Sequence, residues 1–215
     1  MRKCMFYLMM AVAVIAFGAC SPDESNEPGT PGIETPENPE EPGEPEEPGE
    51  DPDSPSGETK IVVAYFSWGG TTQRMAQEIV RKTGADLFRI EPEVPYPTDY
   101  TECTEVALEE KNSNARPAIA KEVENWDDYD TVFIGCPVWW WTTPMIICTF
   151  TESYDFKGKT VVPFCTYAST YRDETLARIV ELTPDAEHLA GEGLTSGRIN
   201  EQNISSWLKE IGIIK

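Results

Sequence analysis

The run Ser67-Trp68-Gly69-Gly70-Thr71-Thr72 places three hydroxyls and two glycines within six residues. It follows an apolar segment, Ile61–Phe66, and precedes a helical pattern carried by Met75, Ile79 and Val80. A strand, a hydroxyl- and glycine-rich turn and a helix start together suit an anion such as phosphate. Glycine lets the backbone come close, hydroxyls donate hydrogen bonds, and the first free N–H groups of the helix favour negative charge. The same residues also suit an ordinary βα turn. The spacing matches neither G-x-G-x-x-G nor G-x-x-x-x-G-K-[ST], so neither NAD nor ATP is the natural ligand.

The elements that must hold this turn alternate along residues 60–215. Strand patterns fall at Ile61–Phe66, Asp86–Ile90, Thr131–Gly135 and Thr160–Cys165, with a weak fifth at Ala186–Leu189. The first helix is expected over Thr72–Thr83, stopped by Gly84 as a left-handed cap. A long connection, Glu91–Arg116, holds three prolines, and its later half from Tyr100 suits a helix. Pro117–Asn125 reads as a second helix. Thr143 is expected to cap a third, with Pro144 at its first position, and Asp173 to cap a fourth. Ile204, Trp207, Leu208 and Ile211 have the spacing of a fifth. Nearly solid apolar strands separated by helices indicate a parallel sheet covered on both faces, hence a doubly wound α/β fold. Ligands of such folds bind beyond the carboxyl ends of the strands. The turns concerned are Ser67–Thr72, Pro137–Thr142 and Thr166–Arg172.

The first twenty residues read as an address. Arg2 and Lys3 precede an apolar stretch, Met5–Phe17, too short to span a bilayer comfortably. Phe17-Gly18-Ala19-Cys20 resembles a bacterial lipobox, which implies cleavage before Cys20 and lipid on its thiol. A simple secretory signal or a short N-terminal anchor are the alternatives. Residues 21–58 hold ten prolines and fourteen acidic residues with no Lys or Arg, and repeat Pro-Glu-Glu-Pro-Gly-Glu. Such a segment cannot bury a core, and reads as a disordered, partly polyproline spacer. A cation- or partner-binding acidic tail is the other reading. The segment after Cys20 lacks an inner-membrane retention signal, and Asp23 and Glu24 resemble surface-export signals. A cell-envelope, outer-membrane lipoprotein is expected, on the periplasmic or surface face.

The net charge of the chain is −21. Outside the spacer, 24 acids (38 − 14) face 15 bases (17 − 2, without Arg2 and Lys3), about −9 for the folding part. No basic patch stands out, so nucleic acid is not an expected partner. Cys103, Cys136, Cys148 and Cys165 show no CxxC or Cys/His metal spacing; buried free thiols are preferred to disulfides. His188 has no visible partner. Arg116 and Arg172 suit either solvated helix ends or neutralisation of an anion. Gly191-Glu192-Gly193 reads as a loop.

Several segments then carry a resemblance. Tyr65–Thr72 resembles the phosphate loop of flavodoxins, and Ile134-Gly135-Cys136-Pro137-Val138-Trp139-Trp140 resembles their second loop. Asp155–Lys159 with its following strand also resembles flavodoxin-like proteins, and Tyr96–Tyr100 with Asn114–Pro117 is similar to a lipid-anchored or secreted flavodoxin-like branch. The resemblance implies a five-stranded sheet of order 2-1-3-4-5 and bound flavin mononucleotide (FMN). It would place the phosphate on Ser67, Gly69, Gly70, Thr71 and Thr72. The ring would lie between Pro137, Val138, Trp139 and Trp140 of the second loop and Thr166, Tyr167, Ala168 and Ser169 of the third. The implied chemistry is electron transfer, or reduction of a small acceptor such as a quinone, with a small-molecule or protein redox partner.

Three positions depart from the family pattern. Thr71 replaces the usual Asn, a mild change because a hydroxyl still donates. Trp141 stands where glycine is common and is expected to crowd the ring site. The third loop, Thr166–Arg172, has no glycine, which implies either weaker flavin binding or a site reshaped for another ligand. Tyr167 and Tyr171 are candidate ring-facing replacements. A non-enzymatic binding module that lost the flavin, and a structural envelope lipoprotein, are the competing functions.

Overall fold

The computed structural model describes residues 59–215. The expected signal segment, Cys20 and the acidic spacer lie outside them. Among the described residues no helix is long and apolar enough to cross a membrane.

Four main strands run parallel: β1 (Ile61–Tyr65), β2 (Asp86–Arg89), β3 (Thr131–Pro137) and β4 (Thr160–Thr166). Two short strands, β5 (Glu187–His188) and β6 (Glu192–Leu194), share the fifth position beside β4. The sheet order is β2-β1-β3-β4-β5, the order expected. β5 pairs with the start of β4 and β6 with its end. Pro163 explains the break. The amides of Glu187 and Leu189 donate to the carbonyls of Lys159 and Val161, so every second residue of β4 faces the fifth position. Pro163 is next in that series and has no N–H to offer. Gly191 passes over it, where a side chain would collide with Pro163 itself. The expected single strand Ala186–Leu189 is therefore two, and Glu192–Gly193 belongs to a strand rather than a loop.

Alternation along the strands builds a core on each face. Val62, Ala64, Val132, Ile134 and Cys136 pack on one side with α3 (Met145–Glu152) and α4 (Arg172–Leu182). Val63, Tyr65, Phe133, Val162 and Phe164 pack on the other with α1 (Thr71–Thr83) and α5 (Glu201–Glu210). Burying each large apolar side chain contributes roughly 1.5–3 kcal/mol, so these two layers fix the sheet beneath the turns. Gly135 is required at its position. A Cβ there would lie inside the ring of Phe164, its β4 partner.

The helix boundaries bring corrections. α2 covers Tyr100–Ser113, capped by the Asp99 side chain, which accepts from the Glu102 amide at 3.0 Å. Pro117–Asn125 is not helical. Its backbone pairs instead with the connection after β2: Glu93 donates to the Ala118 carbonyl and Ala120 to that of Glu91, each at 2.8 Å. Thr143 does not cap α3; Pro144 occupies that position, and the buried Thr143 hydroxyl has no partner. Asp173 does not cap α4 but pairs with Arg172, while Tyr171 stands at the cap. His188 does have a partner: its Nε2 lies 2.9 Å from the Thr183 hydroxyl. The four cysteines are buried free thiols.

Candidate functional site: a two-ended cleft at the strand carboxyl ends

The turn after β1 is shaped by its glycines. Gly70, at φ 81°, forms the left-handed entry to α1, a conformation that favours glycine. A Cβ placed on Gly69 or Gly70 would meet no atom within 4 Å, so the space above both is open. The first helical bond is donated by Arg74 to Gly70, which leaves the earlier amides of α1 without helical acceptors. These amides and the adjacent hydroxyls form one end of the cleft.

That end encloses about 570 Å³. Hydroxyls from Ser67, Thr71, Thr72, Thr166, Thr195 and Ser196 line it. Gly69, Pro137, Val138, Trp139, Tyr167 and Ala168 are also part of its wall. The second end, about 480 Å³, is aromatic: Trp68, Tyr100, Trp139, Trp140, Trp141 and Tyr171 surround it, with Ala168 and Ser169. Trp68, Tyr100, Val138, Trp139 and Ala168 border both ends, so the two form one elongated cleft. Among the described residues no Asp, Glu, Lys or Arg lines either end.

The structure thus brings together every expected cofactor-site residue except Gly70, which shapes the turn without lining the cleft; the expected lipidation site, Cys20, lies outside the described residues. Thr72 is partly engaged. Its hydroxyl lies 2.7 Å from that of Thr166, so one of the two serves the other rather than a ligand. Neither Arg116 nor Arg172 neutralises the cleft. Arg116 grips Glu152 with two bonds of 2.7 and 2.8 Å, and Arg172 pairs with Asp173 and Glu192.

The second and third loops solve their glycine shortage at a cost. Trp139 and Thr142 exchange both backbone bonds at 3.0 Å, which leaves Trp140 and Trp141 as the centre of a two-residue turn. Their φ values are 44° and 72°, the sign that primed hairpin turns demand. Tyr171 adopts φ 64° where glycine was missing. Among the described residues, three of the five non-glycine residues with positive φ therefore sit at the aromatic end. Trp141 does not fill the ring site as expected. It stands 56 % exposed on the rim, 5.9 Å from the Tyr171 ring and beneath the Lys111 ammonium.

Other side chains fix the wall. Trp139 is wedged edge-on against Phe66 and Tyr96 at 5.2 and 5.0 Å. The Trp140 indole donates to the Thr104 carbonyl, and the Trp68 indole to that of Pro97, both at 2.9 Å. α2 thereby supplies Tyr100, Cys103, Thr104 and Ala107 to the cleft, contributions the sequence reading did not assign. The loop after β6 supplies Thr195, Ser196 and Gly197, also unassigned. Burial, and then the nearby Glu110, push the Cys103 thiol pKa up, which disfavours its thiolate.

The residues fit a flavin phosphate ester. Orphan amides, hydroxyls and open glycines face the anion, and flat aromatic walls face a ring. A doubly wound sheet in the order 2-1-3-4-5, with its cleft at the turns after β1, β3 and β4, defines a flavodoxin-like protein. The family model of flavodoxin matches residues 60–211, and the chain belongs to that family. A candidate flavoprotein of Bacteroides eggerthii is 39 % identical, covering 71 % of this chain and 98 % of that one, with a TM-score of 0.65. Another, from Bacteroides uniformis, is 32 % identical over 70 % and 98 %, with a TM-score of 0.63. A Lactobacillus acidophilus flavoprotein in complex with FMN is 22 % identical over 69 % and 98 %, with a TM-score of 0.59; that likeness concerns the fold. No curated protein matches.

Proposed function

We propose that the chain is an FMN-binding redox protein, tethered to the cell envelope by lipid on Cys20. The observation that carries the reading is the single cleft, in which a hydroxyl-and-amide end adjoins an aromatic end. The phosphate would rest on Ser67, Gly69, Thr71 and Thr72 and on the free amides above Gly70. The ring would lie between Pro137–Trp140 and Thr166–Ser169. The flavin, when bound, supplies electron or hydride transfer to a protein partner or to a small acceptor such as a quinone. The protein's part is position and polarity. Uncharged aromatic walls exclude water and make added negative charge on the ring costly.

The left-handed backbone of Trp140, Trp141 and Tyr171 favours a working site over a module that has lost its ligand. Each such residue costs about 1–3 kcal/mol, and strain of this kind gathers at ligand clamps. The anchor proposed at Cys20 is an outer-membrane lipid anchor, with the acidic segment 21–58 as its spacer.

The purified full chain is expected to carry the yellow absorbance of flavin, or to quench FMN fluorescence on titration. A colourless protein that leaves FMN fluorescence unchanged overturns the reading. Reoxidation of the reduced, loaded protein by a quinone would separate an enzyme from a carrier. Palmitate labelling that is lost in Cys20→Ala supports the tether, and its absence in the wild type removes it.

A further inference from the structure

The loop after β6 enters the polar end of the cleft with Thr195, Ser196 and Gly197. It is held there by α1. The Arg74 guanidinium donates through Nη2 to the Ser196 hydroxyl at 2.7 Å and to the Ser196 carbonyl at 3.2 Å. Nearby on α1 and α5, Glu78 pairs with Arg81 through Oε1 while its buried Oε2 has no partner, and Glu201 pairs with Lys82. Among the described residues, Arg74 has no carboxylate partner. The other arginines weighed for this role, Arg116 and Arg172, are tied in ion pairs.

A serine hydroxyl has one proton and two lone pairs. At Ser196 a lone pair receives Arg74, so the proton remains free to be donated. A cationic donor on the oxygen polarises that O–H and strengthens what it gives. Because Ser196 lines the polar end, its proton can be offered to a ligand beside the amides of α1. No charged side chain lines the cleft, so Arg74 brings positive charge to the wall from behind.

We propose that Arg74 and Ser196 form a phosphate clamp, built from a fourth segment of the chain, that selects a phosphate monoester over an uncharged flavin. The inference rests on the flavin reading above. Ser196 touches the phosphate, and Arg74 acts through it as a positioning residue. The ligand class is a terminal phosphate carrying nearly two negative charges at neutral pH. Riboflavin, which lacks the phosphate, gains nothing from the clamp.

The test titrates the purified full chain, stripped of flavin, with FMN and separately with riboflavin, following fluorescence. Arg74→Gln and Ser196→Ala are each expected to weaken FMN binding about threefold to fivefold, the loss of one charge-assisted hydrogen bond at an exposed site. Riboflavin affinity is expected to stay within about twofold, since no charge is lost from its contacts. The double variant should lose no more than about the larger single loss, because the two side chains act as a unit. FMN affinity of the wild type should fall more steeply with salt than that of Arg74→Gln. Equal weakening of both flavins would mean that the pair only supports the loop, and overturns the clamp. Unchanged FMN affinity in both variants overturns it as well, while leaving FMN binding intact. A wild type that binds no FMN overturns the flavin reading and the clamp together.

Discussion

The buried hydroxyls of Thr72 and Thr166 lie 2.7 Å apart and join the first turn of α1 to the last residue of β4. This bond fixes the phosphate turn against the third loop. Removing one partner strands the other. Thr72→Val is expected to cost about 1–3 kcal/mol, the penalty of a buried hydroxyl left unpaired. Thr72→Val with Thr166→Val should cost less than the two single losses added, because no polar atom is then stranded. Urea unfolding of the four proteins checks this. Strict additivity would show that the two hydroxyls do not depend on each other.

Trp141 holds φ 72°, where glycine is at ease and other residues are not. Replacing it with Ala or Gly removes the same ring, and with it the contacts to Lys111 and Tyr171. Only Gly also removes the backbone penalty. Trp141→Gly should therefore be more stable than Trp141→Ala by about 1 kcal/mol, the reverse of the order in ordinary secondary structure. Thermal unfolding of the pair decides it. An Ala variant at least as stable as the Gly variant would mean that this turn stores no strain.

The sheet was legible because its strands announce themselves. Ile61–Tyr65, Thr131–Pro137 and Thr160–Thr166 are apolar on both faces, as strands covered on two sides must be. Gly84 stopped α1 where expected, at φ 71°. The turns after β1, β3 and β4 were legible as neighbours too, since a doubly wound fold gathers the carboxyl ends of its strands. What stayed hidden depends on distant contacts. Pro117–Asn125 has no helix because Ala118 and Ala120 pair with Glu91 and Glu93, and nothing local announces that pairing. Tyr100 and Cys103 reach the cleft only because Trp140 fastens Thr104 to the hairpin. The split fifth strand had a signal, Pro163 within β4, whose missing N–H forbids a continuous ladder.

Glu110 anchors the far part of α2 to the aromatic wall. The Tyr96 hydroxyl donates to its Oε2 at 2.8 Å, and the Tyr96 ring packs on Phe66 and Trp139. Burial raises the Glu110 carboxyl above its ordinary value of 4.5, and the bond from Tyr96 only partly opposes this. The Tyr96 phenol is itself pushed up by burial and by Glu110, so it stays protonated and keeps donating. An acid whose folded pKa is raised binds more protons folded than unfolded. Its penalty is therefore absent below 4.5 and grows as pH rises from there through the raised value. Glu110→Gln keeps an oxygen for Tyr96 and removes the charge. At neutral pH the variant should be more stable than the wild type by less than about 1 kcal/mol, since the group is partly solvated. Near pH 4 the two should converge. Melting temperatures across this range test the sign. A variant less stable at neutral pH would mean that the ionised carboxylate's bond to Tyr96 outweighs the cost of burying its charge.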